Sequence, residues 1–347
     1  MNFRRGAIIT LALLLLPLVS SCVSVLNPTG WAPVAFDGET AYVITSKGKL
    51  SAITVNGDSG AAKWTFPDKD RDEDDKLDTK AIYGAPVIEG DRIYLATFEA
   101  GVFALRKEDG RPIWPTAGSD AASIDGDIAG GVAVAGENVY FATTEGLLYA
   151  LRKDDGAPAT GWEKPLRLGD GIWATPVVHG DAVYVATMSG ELHALSAIDG
   201  SERWSRPFKA SGAIAELALI SDELLFVPSI NRHAYVVRMA DGSVVADFRA
   251  DDWLWTTPGV QGSKLFFGDF GGSVYGLDIT SSGVEQLWEP ASLKGERVRS
   301  GAAVVNGVIV VVEGLVRRPR RERVGHGNRL GGPTAEGREQ AAPRRRA

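Results

Sequence analysis

Few residues of this 347-residue chain are spaced for chemistry. Asp68, Asp70, Asp72 and Asp74 stand at alternate positions, which is how carboxylates open a twelve-residue calcium loop. The pattern then breaks, because Glu73 takes the place of the tight-turn glycine and Thr79 that of the bidentate glutamate. The run therefore reads as a solvated acidic loop, a landing place for a basic partner surface, with calcium only a weak alternative. His179, His193 and His233 fall in different repeats or turns, with no two at ligand spacing on one strand face, so they are expected at the surface and no metal site is expected. Cys22 is the single cysteine, which excludes a disulfide framework, a multi-cysteine zinc site and paired-cysteine redox chemistry. Nucleophile elbows, phosphate-cradling loops and the paired histidines of a metalloprotease helix are absent. No catalytic residue is assigned. What remains is a set of aromatic side chains at regular intervals, groups that bind rather than react.

Those aromatics belong to a repeat. Its clearest copy runs from Gly171 through Trp173, Thr175, Pro176 and Gly180 to Tyr184, then Gly190, Leu192, Ala194, Leu195, Asp199, Gly200 and Trp204. Five further copies close on Trp64, Trp114, Trp162, Phe248 and Trp288, so the closing aromatics are 40 to 50 residues apart. Each copy alternates apolar and polar residues in runs of four to six, rich in Val, Tyr, Phe and Thr and separated by Gly-Asp or Asp-Gly turns. That predicts four short antiparallel strands. One such sheet cannot bury both faces, whereas sheets stacked radially bury them against one another. The expected fold is all-β: a β-propeller of four-stranded antiparallel blades, six complete and a partial seventh, with seven or eight in an intact ring.

Within that frame Trp64, Trp114, Trp162, Trp204 and Trp288 are expected to dock blade on blade. Small residues recur inside the third strand at Ala52, Ala104, Ala150, Ala194 and Gly276, where neighbouring sheets are expected to approach closely. Seven residues before each first turn stand Trp31, Tyr83, Trp173 and Trp255, among Ala129, Ile214 and Ser300. Equivalent blade positions lie at one level, so these aromatics, with Trp253 beside them, are candidates for a partner-binding rim; packing between blades is the alternative.

The ends differ from the body. Arg4 and Arg5 precede an apolar run from Ala7 to Leu16, then Ser20, Ser21 and Cys22, which reads as a signal peptide over 1–21. Residues 22–30 form a tether and 31–314 the propeller. From Leu315 the repeat stops in mid-blade, and residues 316–347 carry ten arginines against three glutamates, leaving −14 of the net −7 on the rest of the chain. Residues 315–347 read as a basic disordered tail of the kind a shifted reading frame or a truncation would leave. So acidic a body repels phosphate backbones, and no nucleic-acid partner is expected.

The Gly-x-Leu-x-Ala-Leu run, the Asp-Gly turn and the closing Trp together resemble the tryptophan-docking repeat of quinoprotein, or PQQ-like, β-propellers, over about residues 31–314. Val19, Ser20, Ser21 and Cys22 resemble the lipobox of bacterial lipoproteins, which implies acylation of Cys22 and anchoring to a membrane by lipid alone. A lipobox with one compact propeller is similar to BamB-type lipoproteins. That resemblance implies a non-catalytic, extracytoplasmic scaffold whose partners are proteins of outer-membrane β-barrel assembly, on the periplasmic face of the outer membrane in a diderm host, with no cofactor. Quinoprotein dehydrogenases share the repeat and imply PQQ and calcium, but this chain lacks the neighbouring cysteine pair they set over the quinone. A surface lipoprotein for other ligands is the third expectation.

Overall fold

This computed structural model describes residues 32–310, apart from 46–47, 57–58, 69–78, 80, 100, 115–123, 281–282, 294–296, 299–300 and 306–307. The leader, the tether with Cys22, Trp31, residues 311–314 and the basic tail lie outside the described residues. The chain is a β-propeller. Six sheets of four antiparallel strands follow one another in sequence order, the sixth with an extra strand, Ala291–Ser292, on its third. A seventh sheet shows two strands, Ala303–Val305 and Val308–Val310. Among the described residues no helix is long and apolar enough to cross a membrane.

Blade 4 shows how the sequence makes a blade. Its strands are Val177–His179, Ala182–Ala186, Glu191–Ser196 and Phe208–Lys209. The first hairpin turns in two residues, Gly180 and Asp181, with His179 opposite Ala182. Gly180 takes a φ of 59°, a region glycine enters without steric cost. In blade 5 Ser221 stands in that place and the turn is looser, with Leu219 opposite Leu225. Ala182–Ala186 is buried throughout, because blades pack on both of its faces. The first and fourth strands are partly exposed, and there the polar residues of the repeat reach water.

The core is not one mass. Five buried clusters each straddle a seam between consecutive blades, from blades 1 and 2 to blades 5 and 6. Four seams share one joint. The indole N–H of Trp64 donates to the Lys107 carbonyl of the next blade at 3.1 Å, Trp114 to Lys153 at 2.9 Å, Trp162 to Ala197 at 3.0 Å and Trp204 to Met239 at 2.9 Å. Each ring also lies on the glycine of that blade's Asp-Gly turn. A Cβ at Gly110 would come within 2.4 Å of the Trp64 ring, and one at Gly156 within 2.7 Å of Trp114. A tyrosine of the second strand backs each indole, as Tyr94 does Trp114 with centroids 6.1 Å apart.

The small third-strand residues also serve a neighbour within their own sheet. Ala52 pairs with Trp64 and Ala104 with Trp114 inside one sheet. A Cβ at Gly276 would lie 2.0 Å from the Trp288 ring. There the small side chain clears space for the closing tryptophan of its own blade, while Ala52, Ala104, Ala150 and Ala194 all lie in the clusters packed against the next blade. Trp288 stacks on Phe266 with centroids 5.6 Å apart and is only half-buried.

The joint predicts a graded response to substitution. Trp114→Phe keeps the ring packing and leaves the Lys153 carbonyl without the indole donor, at an expected cost of about 1–2 kcal/mol. Trp114→Ala also empties the seam and should cost about 3–5 kcal/mol. Urea unfolding of both variants checks this: no loss in Trp114→Phe would show that the hydrogen bond contributes nothing, and equal losses in the two would show that the ring packing contributes nothing.

Candidate functional site

The segments that lead into the first strands converge on the propeller axis. Around blades 2 to 4 they touch through backbone: a Cβ at Gly84 would lie 2.1 Å from the Gly131 Cα, and one at Gly130 2.8 Å from the Trp173 carbonyl. The Gly131 N–H donates to the Thr175 hydroxyl at 2.8 Å. Side chains just ahead of this contact are therefore pushed out over the mouth of the channel.

Trp173 of blade 4 and Trp255 of blade 6 meet there edge to face, with centroids 5.8 Å apart and planes at 80°. Between them, blade 5 supplies Ile214, which is fully buried and leaves room for the two indoles. Trp253 is 49% exposed and Trp173 39%, while Trp255 is half-buried. Phe270 joins the group at 6.3 Å from Trp253 and 6.4 Å from Trp255, and the Arg297 guanidinium lies 6.0 Å from the centre of its ring. Tyr83 lies apart, edge-on to Phe98 at 5.6 Å. The structure thus gathers three of the rim candidates, Trp173, Trp253 and Trp255. Trp31 lies outside the described residues.

Phe98, Phe270 and Arg297 were missed in the sequence. Phe98 and Phe270 follow the corner residue at the end of their second strands, Thr97 and Asp269, and an antiparallel sheet returns that turn to the level where the first strand begins. That register was the available signal.

The loop bearing Trp253 and Trp255 is tied down from below. Asp269 is fully buried, and its carboxylate accepts from the Asp252 N–H at 3.0 Å, the Ser273 N–H at 2.8 Å and the Tyr275 hydroxyl at 2.8 Å. The Tyr275 oxygen in turn accepts from the Asp251 N–H at 2.8 Å. Burial, reinforced by the Asp269 charge, raises the Tyr275 hydroxyl above the usual tyrosine range, so it stays a donor. Asp125, Glu145, Asp170 and Asp251 are exposed on the same face, as are Arg232 and Arg297, so the aromatic mouth has charges of both signs around it.

Beneath the mouth lies Glu216. The residue is half-buried, but its Oε2 is shut off from solvent and has no hydrogen-bond partner. Burial pushes its carboxyl from 4.5 up to about 8, against the opposing pull of the Leu217 and Thr175 N–H groups.

The other candidates lie elsewhere. Asp68 is described, whereas Asp70, Asp72 and Asp74 lie outside the described residues. Thr79 is buried and its hydroxyl donates to the Gly48 carbonyl at 2.6 Å. His193 is 7% exposed, contrary to the surface position expected of it, because it sits on a third strand covered on both faces. Its Nδ1 lies 2.7 Å from Glu202. His233 pairs with Asp247 at 2.6 Å. Among the described residues no three of His, Cys, Asp or Glu are gathered as metal ligands.

Blades closed by docking tryptophans define the class: a PQQ-like β-propeller. Residues 23–160 and 158–316 match the family of the outer membrane protein assembly factor BamB, and the chain belongs to that family. BamB from Moraxella catarrhalis is similar in structure, with a TM-score of 0.59 and 21% identity over 81% of this chain and 82% of that one. The WD40 β-propeller domain of Doa1 gives 0.59 and 10% over 83% and 89%. The computationally designed Ika8 protein gives 0.54 and 9% over 82% and 93%. At such identities these likenesses concern the fold. No curated protein matches by sequence.

Glu216 yields a pH prediction. Below about pH 4.5 the folded and unfolded chains both hold this proton. Between about 4.5 and 8 the unfolded chain releases it and the folded chain does not, so the group lowers stability as pH rises, levelling off above 8. Glu216→Gln should flatten that slope and gain on the order of 2–4 kcal/mol at pH 8.5 relative to pH 4.5. Chemical denaturation at both pH values checks it, and an unchanged slope would refute the assignment.

Proposed function

We propose that this chain is a non-catalytic, lipid-anchored scaffold of outer-membrane β-barrel assembly that binds proteins through its aromatic channel mouth. Family membership supports the assembly role, and the group of Trp173, Trp253 and the half-buried Trp255 carries the choice of surface. Exposed tryptophans held by a buried framework give large apolar contact at little cost in ordering, which is the usual make-up of a binding hot spot. Cleavage of the leader and acylation of Cys22 would tether the disc at the periplasmic face of the outer membrane. A tether of a few residues leaves the disc free to turn either face to its partners. The mechanism is presentation: a rigid surface captures an assembly partner, while extended client strands add to exposed sheet edges. Neither PQQ nor calcium has a part in it.

Crosslinking and mass spectrometry of full-length protein recovered from its host membrane should return a barrel-assembly protein as the main partner. Trp173→Ala and Trp253→Ala remove exposed rings, so the melting temperature should hold while capture falls roughly tenfold or more for each. Secreted enzymes or cell-wall material in place of assembly proteins would overturn the assembly role. Unfolding of both variants would instead make the rings packing elements. Saturable PQQ binding with calcium and a quinone-dependent oxidation would favour the dehydrogenase reading.

A further inference from the structure

On the face opposite the aromatic mouth, the first hairpins and the Asp-Gly turns of successive blades meet along the seams. In the first seam Lys107 of blade 2 reaches Asp37 of blade 1 at 2.8 Å. In the second, Lys153 of blade 3 crosses toward Glu89 of blade 2 at 3.5 Å and Glu137 at 3.7 Å, and donates to the Gly136 carbonyl at 2.5 Å. Arg92 adds a second crosspiece there, 3.0 Å from Asp154. In the fourth seam the equivalent residue is Met239, which is buried.

The third seam has lost all of these groups. Ala135, Asn138, Ala197 and Ile198 stand where Glu89, Arg92, Lys153 and Asp154 stand one blade earlier. The tryptophan joint beneath is intact, since Trp162 and the Tyr140 hydroxyl both donate to the Ala197 carbonyl, at 3.0 and 2.9 Å. What is missing is the layer above it. A groove of about 400 Å³ opens there, floored by Ala135, Val178 and Ala197 and walled by Ile198, which is 71% exposed. Two of the three acceptors around the ammonium of Lys153 have their counterparts in place, Gly180 for Gly136 and Asp181 for Glu137, while Ala135 takes the place of Glu89. Arg203 occupies one oxygen of Asp181, and Glu137 stands on the opposite rim.

We propose that this groove is a binding site for a lysine side chain of a partner polypeptide. The molecule itself seats a lysine in the two preceding seams, so the groove is a lysine seat from which the resident lysine and the acid of the preceding blade are gone, with the Gly180 carbonyl and Asp181 kept as acceptors and Glu137 on the far rim. The four-carbon stem would lie along Val178, Ala197 and Ile198, as lysine stems do on apolar surface, with the ammonium between Gly180, Asp181 and Glu137. The site lies apart from the channel mouth and does not depend on the role assigned to it.

The test uses the full chain and Nα-acetyl-lysine methylamide as the probe, followed by NMR shifts of the Ile198 and Val178 methyl groups. Saturable shifts are expected, with affinity roughly threefold or more weaker for the uncharged norleucine analogue, the scale of a partly exposed ion pair. The double variant Ala135→Glu, Ala197→Lys rebuilds the neighbouring crosspiece and should abolish the shifts without lowering the melting temperature. Ala197→Lys alone serves should the double variant fold poorly. No saturable shift, equal affinity for norleucine, or unchanged binding in a folded lysine variant would each overturn the proposal.

Discussion

Four consecutive seams of this molecule hang on one indole-to-carbonyl joint between blades. A four-stranded sheet of strands two to eight residues long buries too little surface to stand alone, so it exists only where a neighbour covers it. The tryptophan joint sets the distance and tilt of that neighbour with three groups at once: a ring that fills the widening gap, a hydrogen bond that fixes its direction, and a glycine that admits it. None tolerates much change. A Cβ at Gly110 or Gly156 would overlap the ring, and the positive φ of those turns, 72° in both, already excludes most side chains.

The joint also divides the two faces of the disc. It engages the Asp-Gly turns, so on that face side chains are drawn into the seams and the charged residues form crosspieces such as Lys107 with Asp37. The opposite face carries the entries to the first strands and the second turns, which the joint does not touch. Large aromatics can accumulate there without disturbing blade spacing, and they do so where the backbones of Gly84, Gly130 and Gly131 crowd the axis and leave the side chains only outward directions. Asp269 turns that freedom into a fixed surface. Its buried carboxylate sits at a corner where Thr97, Thr143, Thr187 and Ser229 stand in other blades. Only a carboxylate has the acceptor capacity to hold the Asp252 and Ser273 amides and the Tyr275 hydroxyl together.

Much of the fold was legible because the repeat is local. Strand alternation, Gly-Asp turns and the closing aromatics at fixed offsets are properties of neighbours in sequence, and together they yield the class and the blade boundaries. Contacts made across blades were legible only when they recurred. The aromatic positions recurred, so Trp173 and Trp255 could be named, but that their rings meet across an intervening blade depends on the buried Ile214 and on ring curvature, which no single repeat encodes. Glu216 did not stand out, since it occupies a position held by Ala85, Gly131, Thr175 and Thr257 in other blades and carries no motif. His193 looked like a polar strand residue facing water. In a sheet covered on both faces even the polar positions of the third strand are inside, and Glu202 is what makes that burial tolerable.

The places where the repeat fails are as informative as the places where it holds. At the seam between blades 5 and 6 the closing residue is Phe248 and the next blade has no Asp-Gly turn, so ring and turn change together, and Phe248 packs on Phe267 and Tyr275 at 6.2 and 5.4 Å. That is a structural substitution, in which one mode of docking replaces another and the seam stays filled. At the third seam the joint is kept and the layer above it is emptied, by alanine on both sides. The carboxylates of the crosspieces are exposed, Glu89 at 47% and Asp37 at 45%, so their ion pairs add little and losing one costs little. Two alanines facing each other across an intact joint are therefore a stable arrangement, and one that exchanges a partly exposed ion pair for an open apolar surface.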